Sequence, residues 1–393
     1  MSFRLPARLL RFPLTFLTAA LAVELLDELV DGVTGAAWPL VRQDLSLSYA
    51  EIGLLLGVPA LLANLIEPAF GVLADFGRRR ALILGGGVVF ALSLALFAVA
   101  GGFWPLLLAS VLFYPASGAF VALTQAALMD ADPARREQNM ARWALAGSVG
   151  NVVGPLLIGL AVTLGLGWRP VFALLAALTV AVLALAWRSR EALAGEGDGD
   201  TSPSWRIAAA EGWAALRRGE VRRFLILLEC ANLPLDVFRG FLALYFVDAV
   251  GTSPALASLA VAVLTGVGLV GDALVVPLLE RVSGLHFLRL SAWAVAVVLP
   301  AFLLVPSPGV KLALVGALGL LTSGWYAVLQ ARLYGSLPER SGTVMALGSV
   351  AGLAGGAVLP LLGLVADRFG VTAAMWLLLA GPLALIVGLP RRN

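Results

Sequence analysis

Long apolar stretches separated by short polar segments form the dominant pattern along this chain. Each stretch has roughly 18–27 residues, which is enough for a helix to cross about 30 Å of hydrocarbon. The pattern predicts twelve transmembrane helices, over residues 13–40, 50–74, 81–101, 104–129, 141–166, 170–187, 222–247, 254–279, 286–306, 309–334, 342–366 and 371–389. Because the segments between these spans are too short for soluble domains, we expect an all-α membrane protein.

The composition agrees with a lipid environment. Of the 393 residues, 60% are hydrophobic and only 13% are charged, and the mean hydropathy is +0.95. A soluble protein of this size neither needs nor tolerates so much apolar surface. The single cysteine, Cys230, excludes an intramolecular disulfide and a cysteine-rich metal site.

A second regularity appears when the sequence is compared with itself at an offset of about 205 residues. Charged, amide and proline positions then coincide: Glu24 with Glu229, Asp31 with Asp236, Glu67 with Asp272, Gln125 with Gln330 and Pro155 with Pro360. Shared apolar composition does not align acids and prolines at one constant offset. The sequence therefore predicts two parallel six-helix halves, 1–187 and 222–393, and transporters built in this way bind substrate between the halves near the bilayer midplane.

The segment 188–221 is predicted to join the halves. It begins with a polar stretch rich in Gly, Ser and Pro, which is typical of a flexible loop. Residues 204–218 then mix aromatic and aliphatic side chains with arginines, a pattern that suits a short helix on the membrane surface. The alternative is a tether that only connects the two halves.

The basic residues indicate the orientation, and they raise the sequence pI to about 9.4. Most of the 27 lysine and arginine residues fall in loops on one side of the predicted bundle, whereas Arg42, Arg169, Lys311 and Arg368 fall on the other. By the positive-inside rule, both termini are then cytoplasmic and the protein spans the inner membrane. Contact with anionic lipid headgroups accounts for the basic charge, so no nucleic-acid partner is expected.

Acidic residues occur inside the predicted helices. In the first helix, four of them fall within an arc of roughly 100°, and the seventh helix repeats this polar face. A charge at the bilayer centre costs at least about 2.5–3.5 kcal/mol, so these faces are expected to line a polar cavity. We place at this cavity Asp27, Glu28, Asp31, Glu67, Glu229, Asn232, Asp236, Arg239 and Asp272.

Clustered carboxyl groups inside a membrane cannot all stay ionised without cations. Some are therefore expected to hold protons near neutral pH, or to exchange them for a cationic substrate. We expect Arg239 to keep Asp236 ionised and Asp31, which is crowded by Asp27 and Glu28, to carry the proton. The alternative is that Asp236 only pairs with Arg239 and that acids near helix ends are simply solvated.

Other chemistry is weakly represented. No phosphate-binding loop, nucleophile–base set or dinucleotide fingerprint occurs, which disfavours an enzyme, an ATP-driven pump and a bound cofactor. One histidine and one cysteine disfavour a soft-metal site, and no metal ligands are assigned. Tyr114, Trp325 and Tyr326 are candidate cavity aromatics that could stack on a ligand, with simple packing as the alternative.

The segment GVLADFGRRR, residues 71–80, closely resembles the signature loop of the major facilitator superfamily. Its position after the second helix is the one that the family shows. The resemblance implies the twelve-helix major facilitator fold and assigns a conformational latch to Gly71, Asp75, Gly77, Arg78, Arg79 and Arg80. The equivalent segment of the second half, around Glu280 and Arg281, keeps only the acid and one base.

A second resemblance lies in the fifth helix, where Gly150, Gly154, Pro155 and Gly159 resemble the glycine-proline motif of the proton antiporters of this superfamily. Glycines spaced by four residues also allow close helix packing. Residues 46–57, SLSYAEIGLLLG, resemble the drug-efflux branch that includes the fosmidomycin-resistance-like exporters. In the fourth helix, Tyr114 stands where the antiporters carry an arginine.

These patterns favour a secondary active transporter working by alternating access, with proton-coupled export of small cationic or amphipathic compounds as the leading hypothesis. Uptake or release of a nutrient or a hard metal cation is the alternative within transport. A non-transporting receptor or lipid-handling scaffold is the alternative of another class, although a scaffold has no reason to carry acids at membrane depth. The expected partners are membrane lipids, a small-molecule substrate and protons, and the expected state is a monomer.

Overall fold

The computed structural model describes residues 14–74, 78–131, 136–190, 193, 214–336 and 341–390. Within them, the N-terminal helices are α1 (Leu14–Leu45), α2 (Tyr49–Leu73), α3 (Arg79–Val99), α4 (Phe103–Ala131), α5 (Arg136–Thr163) and α6 (Arg169–Arg188). The C-terminal helices are α7 (219–249), α8 (Pro254–Leu279), α9 (Gly284–Leu304), α10 (308–336), α11 (Ser341–Phe369) and α12 (Val371–Gly388). The predicted all-α architecture of two six-helix bundles is confirmed.

Ten of these helices are long and apolar enough to cross a membrane, counting only the described residues. The two others are α1 and α7, whose hydropathy is lowered by the acidic residues that the sequence pattern placed inside them. Acids in the middle of a membrane helix are retained where they face a cavity. The exceptions therefore mark the two helices on which a polar site should lie.

Four of the described helices are interrupted along their length: α4, α7, α10 and α12, the last at Leu378 and Leu379. In α4, a π-helical turn runs over Gly118–Ala122, and in α7 two such turns run over Leu233–Val237 and Tyr245–Ala249. In α10 the helix breaks between Thr322 and Trp325, where Gly324 adopts a left-handed φ of 71°. Interruptions of this kind are frequent at functional sites, and those of α4 and α10 fall at nearly equivalent positions of the repeat.

The glycines of α5 allow it to pack directly on α1. A methyl group added at Gly150 would lie 2.5 Å from the carbonyl oxygen of Leu25, and one at Gly154 would lie 2.6 Å from the amide nitrogen of Val33. Such distances are far below van der Waals contact, so only glycine permits this approach. Gly159, by contrast, faces Ser258 of α8 with room to spare, at 3.6 Å.

The two bundles meet tightly at one end of the molecule, which we call the closed end. A methyl group at Gly57 of α2 would lie 2.5 Å from the carbonyl oxygen of Gly356 in α11. The carboxylate of Asp367 accepts hydrogen bonds from the amides of Tyr49 (2.7 Å) and Ala50 (2.8 Å). These contacts hold the start of α2 against the end of α11.

Charged side chains join α1 to α7 at the same end. The guanidinium of Arg42 lies 3.1 Å from Asp248, and Asp248 also accepts a hydrogen bond of 2.9 Å from the hydroxyl of Tyr49. Arg42 in turn lies 4.1 Å above the Tyr49 ring. We call Arg42, Tyr49, Asp248 and Asp367 the closed-end lock.

Several expectations lie outside the described residues. Asp75 and Gly77 of the predicted latch do so, as does most of the predicted surface helix at 204–218 and of the joining segment. Among the rest of the latch, Gly71 lies in α2, and Arg78 and Arg80 are exposed. Arg79 pairs with Asp130 of α4 at 2.8 Å.

Lys311 lies within the predicted span 309–334, near the helix end that carries few basic residues. Its side chain is buried in α10, and its ammonium donates to the Tyr245 hydroxyl (2.7 Å) and to the carbonyls of Phe302 (2.5 Å) and Leu303 (3.3 Å). Those carbonyls end α9, where helix acceptors lack intrahelical partners. Lys311 therefore caps a neighbouring helix from inside the bundle.

Candidate functional site

A cavity of about 640 Å³ lies between the two bundles, and we call it the central cavity. Most of its lining comes from α1, α2 and α4, with one or two residues each from α3, α5, α6, α7 and α11. The polar residues that line it are Asp27, Glu28, Asp31, Thr34, Glu67, Ser110, Tyr114, Ser117, Asn151, Asp236 and Arg239. The structure thus brings together most of the acids that the sequence placed at membrane depth, with Tyr114 among them.

Arg239 is the centre of the charge network in this cavity. Its guanidinium lies 3.0 Å from Asp31 of α1 and 3.3 Å from Asp236 of α7, and it donates to the Asn151 side-chain oxygen of α5 at 3.0 Å. Arg239 thus contacts Asp236, its expected partner, and also reaches Asp31 and Asn151 of the other bundle. For the same reason, Asp236→Asn would still leave Arg239 paired with Asp31.

Two acids of α1 have neutral donors instead of a cation as their closest partners. The hydroxyl of Ser117 donates to Asp27 at 2.8 Å, and the side-chain amide of Asn151 donates to Glu28. A hydrogen bond from a neutral group compensates a buried carboxylate only partly. The charges of Asp27 and Glu28 are therefore less well compensated than that of Asp31, which pairs with Arg239.

The glycines of α5 explain how this contact forms. Asn151 follows Gly150, whose missing side chain allows α5 to approach the backbone of α1 beside Glu28. The amide of Asn151 then reaches Glu28 with its nitrogen and Arg239 with its oxygen. The motif therefore positions a single amide between an acid of one bundle and the arginine of the other.

Glu67 and Asp272 lie at the interruptions of the neighbouring helices. A methyl group at Gly118, which begins the π-helical turn of α4, would lie 2.7 Å from a carboxylate oxygen of Glu67. Asp272 accepts a hydrogen bond of 2.8 Å from the amide of Gly324 at the break of α10. The repeat thus places one acid at the helix interruption of each bundle.

Asp272 belongs to a second cavity, of about 530 Å³, between α5, α7, α8 and α10. This cavity extends to Leu279, the last residue of α8, and so reaches the end opposite the closed-end lock. Trp325 and Tyr326 line it, but the Trp325 indole is buried and donates to the Ser291 hydroxyl at 2.8 Å. Packing thus accounts for Trp325, whereas Tyr326 is exposed to the cavity.

Glu229 and Asn232 are separated from the central cavity. They line a third cavity of about 400 Å³ between α2, α7 and α11, which we call the lateral cavity. Asp236 lines both of these cavities, so it marks the wall that they share. The nine residues are therefore distributed over three adjoining cavities that share Asp236, and their common role stays a prediction.

Sequence patterns gave no sign of the closed-end lock. Its members are single charged or aromatic residues at helix ends, which look like ordinary solvated termini. Ser117 was missed for a similar reason, since an isolated serine in an apolar helix carries no spacing signal. Their roles depend on contacts between residues about 200 positions apart in the chain.

Two helical bundles packed around a membrane-depth cavity define a membrane transporter. Residues 20–281 match the family model described as the Major Facilitator Superfamily, and the chain belongs to that family. The resemblance drawn from residues 71–80 is thereby confirmed.

Named relatives match part of the chain. The Fosmidomycin resistance protein of Escherichia coli (strain K12) is 29% identical over 41% of this chain and 40% of its own length. The Chloramphenicol resistance protein of Pseudomonas aeruginosa is 34% identical over 39% and 36%. A Probable sugar efflux transporter of Pasteurella multocida (strain Pm70) is 27% identical over 37% and 36%. The chain thus spans less than half the length of these relatives in each alignment.

Solved structures match nearly the whole chain. A bacterial homologue of the human lysosomal transporter Spinster, in an inward-facing and occupied conformation, has a TM-score of 0.72 at 17% identity, over 95% of this chain and 93% of its own. The nucleoside transporter NupG has a TM-score of 0.71 at 14% identity, over 95% and 97%. At these identities the likeness establishes the fold alone.

Proposed function

We propose that this protein is a secondary active transporter that exports small cationic or amphipathic compounds in exchange for protons. The observation that carries the proposal is the central cavity, in which Arg239 pairs with Asp31 and Asp236, and which Asp27, Glu28 and Glu67 also line. A cavity with this excess of carboxylates attracts cations and repels anions. The names of the three relatives, each an efflux or resistance protein, support export as the direction.

Exchange follows from competition for the same carboxylates. When Asp27 and Glu28 hold protons, the cavity loses two negative charges and its attraction for a cation falls. When a cation enters, it stabilises the ionised carboxylates, and the protons leave. A site that holds either protons or a cation, but not both, couples their movement in opposite directions.

The network is also placed to connect this exchange with the movement of the bundles. Arg239 belongs to α7, whereas Asp31 and Asn151, which it contacts, belong to α1 and α5. Asn151 in turn binds Glu28. Protonation of Glu28 changes the partner of the same amide that holds Arg239, so the charge state of α1 can alter the contact between the bundles.

Cation binding should therefore weaken as the pH falls. For tetraphenylphosphonium binding to the purified protein, the dissociation constant should rise about tenfold per pH unit for each proton that the cation displaces. Glu28→Gln should reduce the slope of the logarithm of this dissociation constant against pH, because one exchangeable carboxyl is lost. Titration calorimetry across about pH 5–9 in buffers of different ionisation enthalpy measures both affinity and proton release.

The matched control is Glu24→Gln, one turn earlier on α1. Glu24 packs against Gly147 and does not line the central cavity, so the wild-type slope should be kept. Binding that is independent of pH in the wild-type protein would contradict competition between protons and cations. An equal loss of slope in both variants would contradict the assignment to Glu28.

The closed-end lock is proposed to lie on the outer side of the inner membrane. Arg42 of the lock lies on the side that carries few basic residues, and the positive-inside rule assigns that side to the outside. Both termini are then cytoplasmic, and the central cavity is closed to the outside in this structure.

This orientation predicts two labelling results in a Cys230→Ser background. A cysteine at Ser202, in the joining segment, should react with a membrane-impermeant maleimide only after the cytoplasmic face is exposed. One at Ser307, which precedes α10, should react from outside. The comparison requires intact cells and inside-out vesicles, and labelling of both positions from one side would overturn the topology.

The two alternative functions, transport of a hard metal cation and a receptor or scaffold role, require different features of the site. Among the described residues, no group of three or more His, Cys, Asp or Glu side chains is arranged to hold a metal ion, which gives the hard-cation alternative no site. A receptor or scaffold does not require a network that joins the two bundles at membrane depth. A monomer is proposed, since each site described is built from one chain.

A further inference from the structure

The lateral cavity contains a carboxylate oxygen without a partner. The Oε2 atom of Glu229 is buried and accepts no hydrogen bond from the residues that the structure describes. A buried and unpaired carboxylate is costly, and pairing with a cation removes that cost. The cavity also holds the side-chain amides of Asn64 and Asn232, which can orient a polar group beside the acid.

Glycines of α11 leave room for the side chains of Glu229 and Asn64. A methyl group added at Gly355 would collide with the Oε2 atom of Glu229, and one added at Gly352 would lie 3.1 Å from the side-chain nitrogen of Asn64. Any larger residue at these positions would fill the cavity or displace its polar groups. The polar end of the cavity therefore exists because α11 has no side chains there.

A wholly apolar cavity adjoins the lateral cavity. It has a volume of about 250 Å³ and lies between α7, α11 and α12, and the two cavities share Leu233 and Val358. Leu361 and Leu377 line it and are 59% and 49% exposed, so it opens on the face that lipid covers. A polar, acidic compartment thus adjoins an apolar one that reaches the membrane.

We infer that the lateral cavity and its apolar neighbour together bind a cationic amphiphile that enters from the bilayer. Its ammonium group lies against Glu229, between Asn64 and Asn232, and its hydrocarbon chain passes Leu233 and Val358 into the apolar cavity. Asp236, which lines both the lateral and the central cavity, is the next acid on the way inward. This site lies beside the central cavity and shares Asp236 with it, and the inference shares with the proposed function the cationic and amphipathic nature of the ligand.

Cys230 reports on this site without any substitution, because it is the only cysteine and lines the lateral cavity. In nanodiscs of zwitterionic lipid, dodecyltrimethylammonium should slow the reaction of Cys230 with N-ethylmaleimide at least tenfold. Tetramethylammonium, which has no chain, should not protect the thiol. Affinity should rise by up to about fourfold for each added methylene that enters the apolar cavity.

Two pairs of variants decide between this site and general adsorption of the amphiphile. Glu229→Gln should lower the affinity for dodecyltrimethylammonium at least tenfold, whereas Glu24→Gln, at the equivalent position of the first bundle, should leave it unchanged. Val358→Phe should obstruct the junction of the two cavities, and Val153→Phe, its equivalent on the lipid-facing side of α5, should not. Equilibrium binding of the labelled amphiphile measures all four and does not depend on the reactivity of the thiol.

Equal binding by Glu229→Gln and wild type, or by Val358→Phe and wild type, would overturn the inference. Glu28→Gln should leave protection of Cys230 intact, because Glu28 does not line the lateral cavity. The outcome is independent of the proposed function, since protection of Cys230 without proton-coupled flux would support this site and contradict only the exchange cycle. Proton-coupled flux without protection of Cys230 would support the exchange cycle and contradict this site.

Discussion

Arg239→Gln should abolish transport and destabilise the fold. The guanidinium has three partners, Asp31, Asp236 and Asn151, on three helices of both bundles. Its removal leaves two carboxylates facing each other and frees the amide that also holds Glu28. The pair is partly exposed to the cavity, so we expect a loss of about 2 kcal/mol, between the values for exposed and buried ion pairs. Proton-driven flux should fall at least 100-fold.

A second substitution distinguishes the effect of Arg239 on stability from its effect on transport. Adding Asp31→Asn to Arg239→Gln removes the unpaired carboxylate and should restore most of the lost stability, while transport stays absent. Arg239→Lys should keep much of the stability but little flux, because an ammonium cannot reproduce the planar fork that spans three acceptors. Thermal unfolding and flux in liposomes measure the two effects. Full activity of Arg239→Gln would show that the network is only structural.

Breaking the closed-end lock should shift the protein towards the conformation in which the bundles separate at the closed end. Asp248→Ala removes the partner of Arg42 and Tyr49, and Asp367→Ala removes the cap on the two amides at the start of α2. A cap or charge-assisted hydrogen bond contributes about 1–2 kcal/mol. The double variant should therefore change the ratio of the two conformations by about 30-fold or more.

Spin labels at Leu166 and Ser307 report this shift, because these exposed positions lie at the closed end of different bundles. Their separation should lengthen in the double variant. The matched control is Asp44→Ala, since Asp44 pairs with Arg169 and Trp168 at the same end but within one bundle. An unchanged distance distribution in the double variant, or an equal change in Asp44→Ala, would contradict the lock.

Patterns that repeat along a helix could be read from the sequence. The acidic face of α1 was predictable because four acids at helical spacing have no other explanation at membrane depth. The equivalence of Asp31 and Asp236 was predictable because the repeat has one constant offset. The glycines of α5 predicted close packing, which the contact with the backbone of α1 at Gly150 confirms.

Contacts between helices could not be read in the same way. Nothing in the sequence indicates that Arg239 reaches Asp31 across the bundle interface, because three-dimensional packing and not spacing decides it. The separation of Glu229 from Asp27 was missed since both belong to equivalent acidic faces, yet α11 closes a different cavity around Glu229. The partners of Lys311 inside the bundle could not be predicted, because two of them are backbone carbonyls, which every sequence position has.

Proton movement caused by cation addition tests the central claim most directly. The protein is reconstituted in liposomes that contain a pH-sensitive dye, with the membrane potential clamped by potassium and valinomycin and no pH gradient imposed. Addition of ethidium outside should drive the cation inward and protons outward, so the interior should become alkaline. Glu24→Gln should behave like wild type, and Glu28→Gln should be strongly reduced. Ethidium uptake at constant interior pH, or uptake no faster than in empty liposomes, would contradict proton-coupled cation transport.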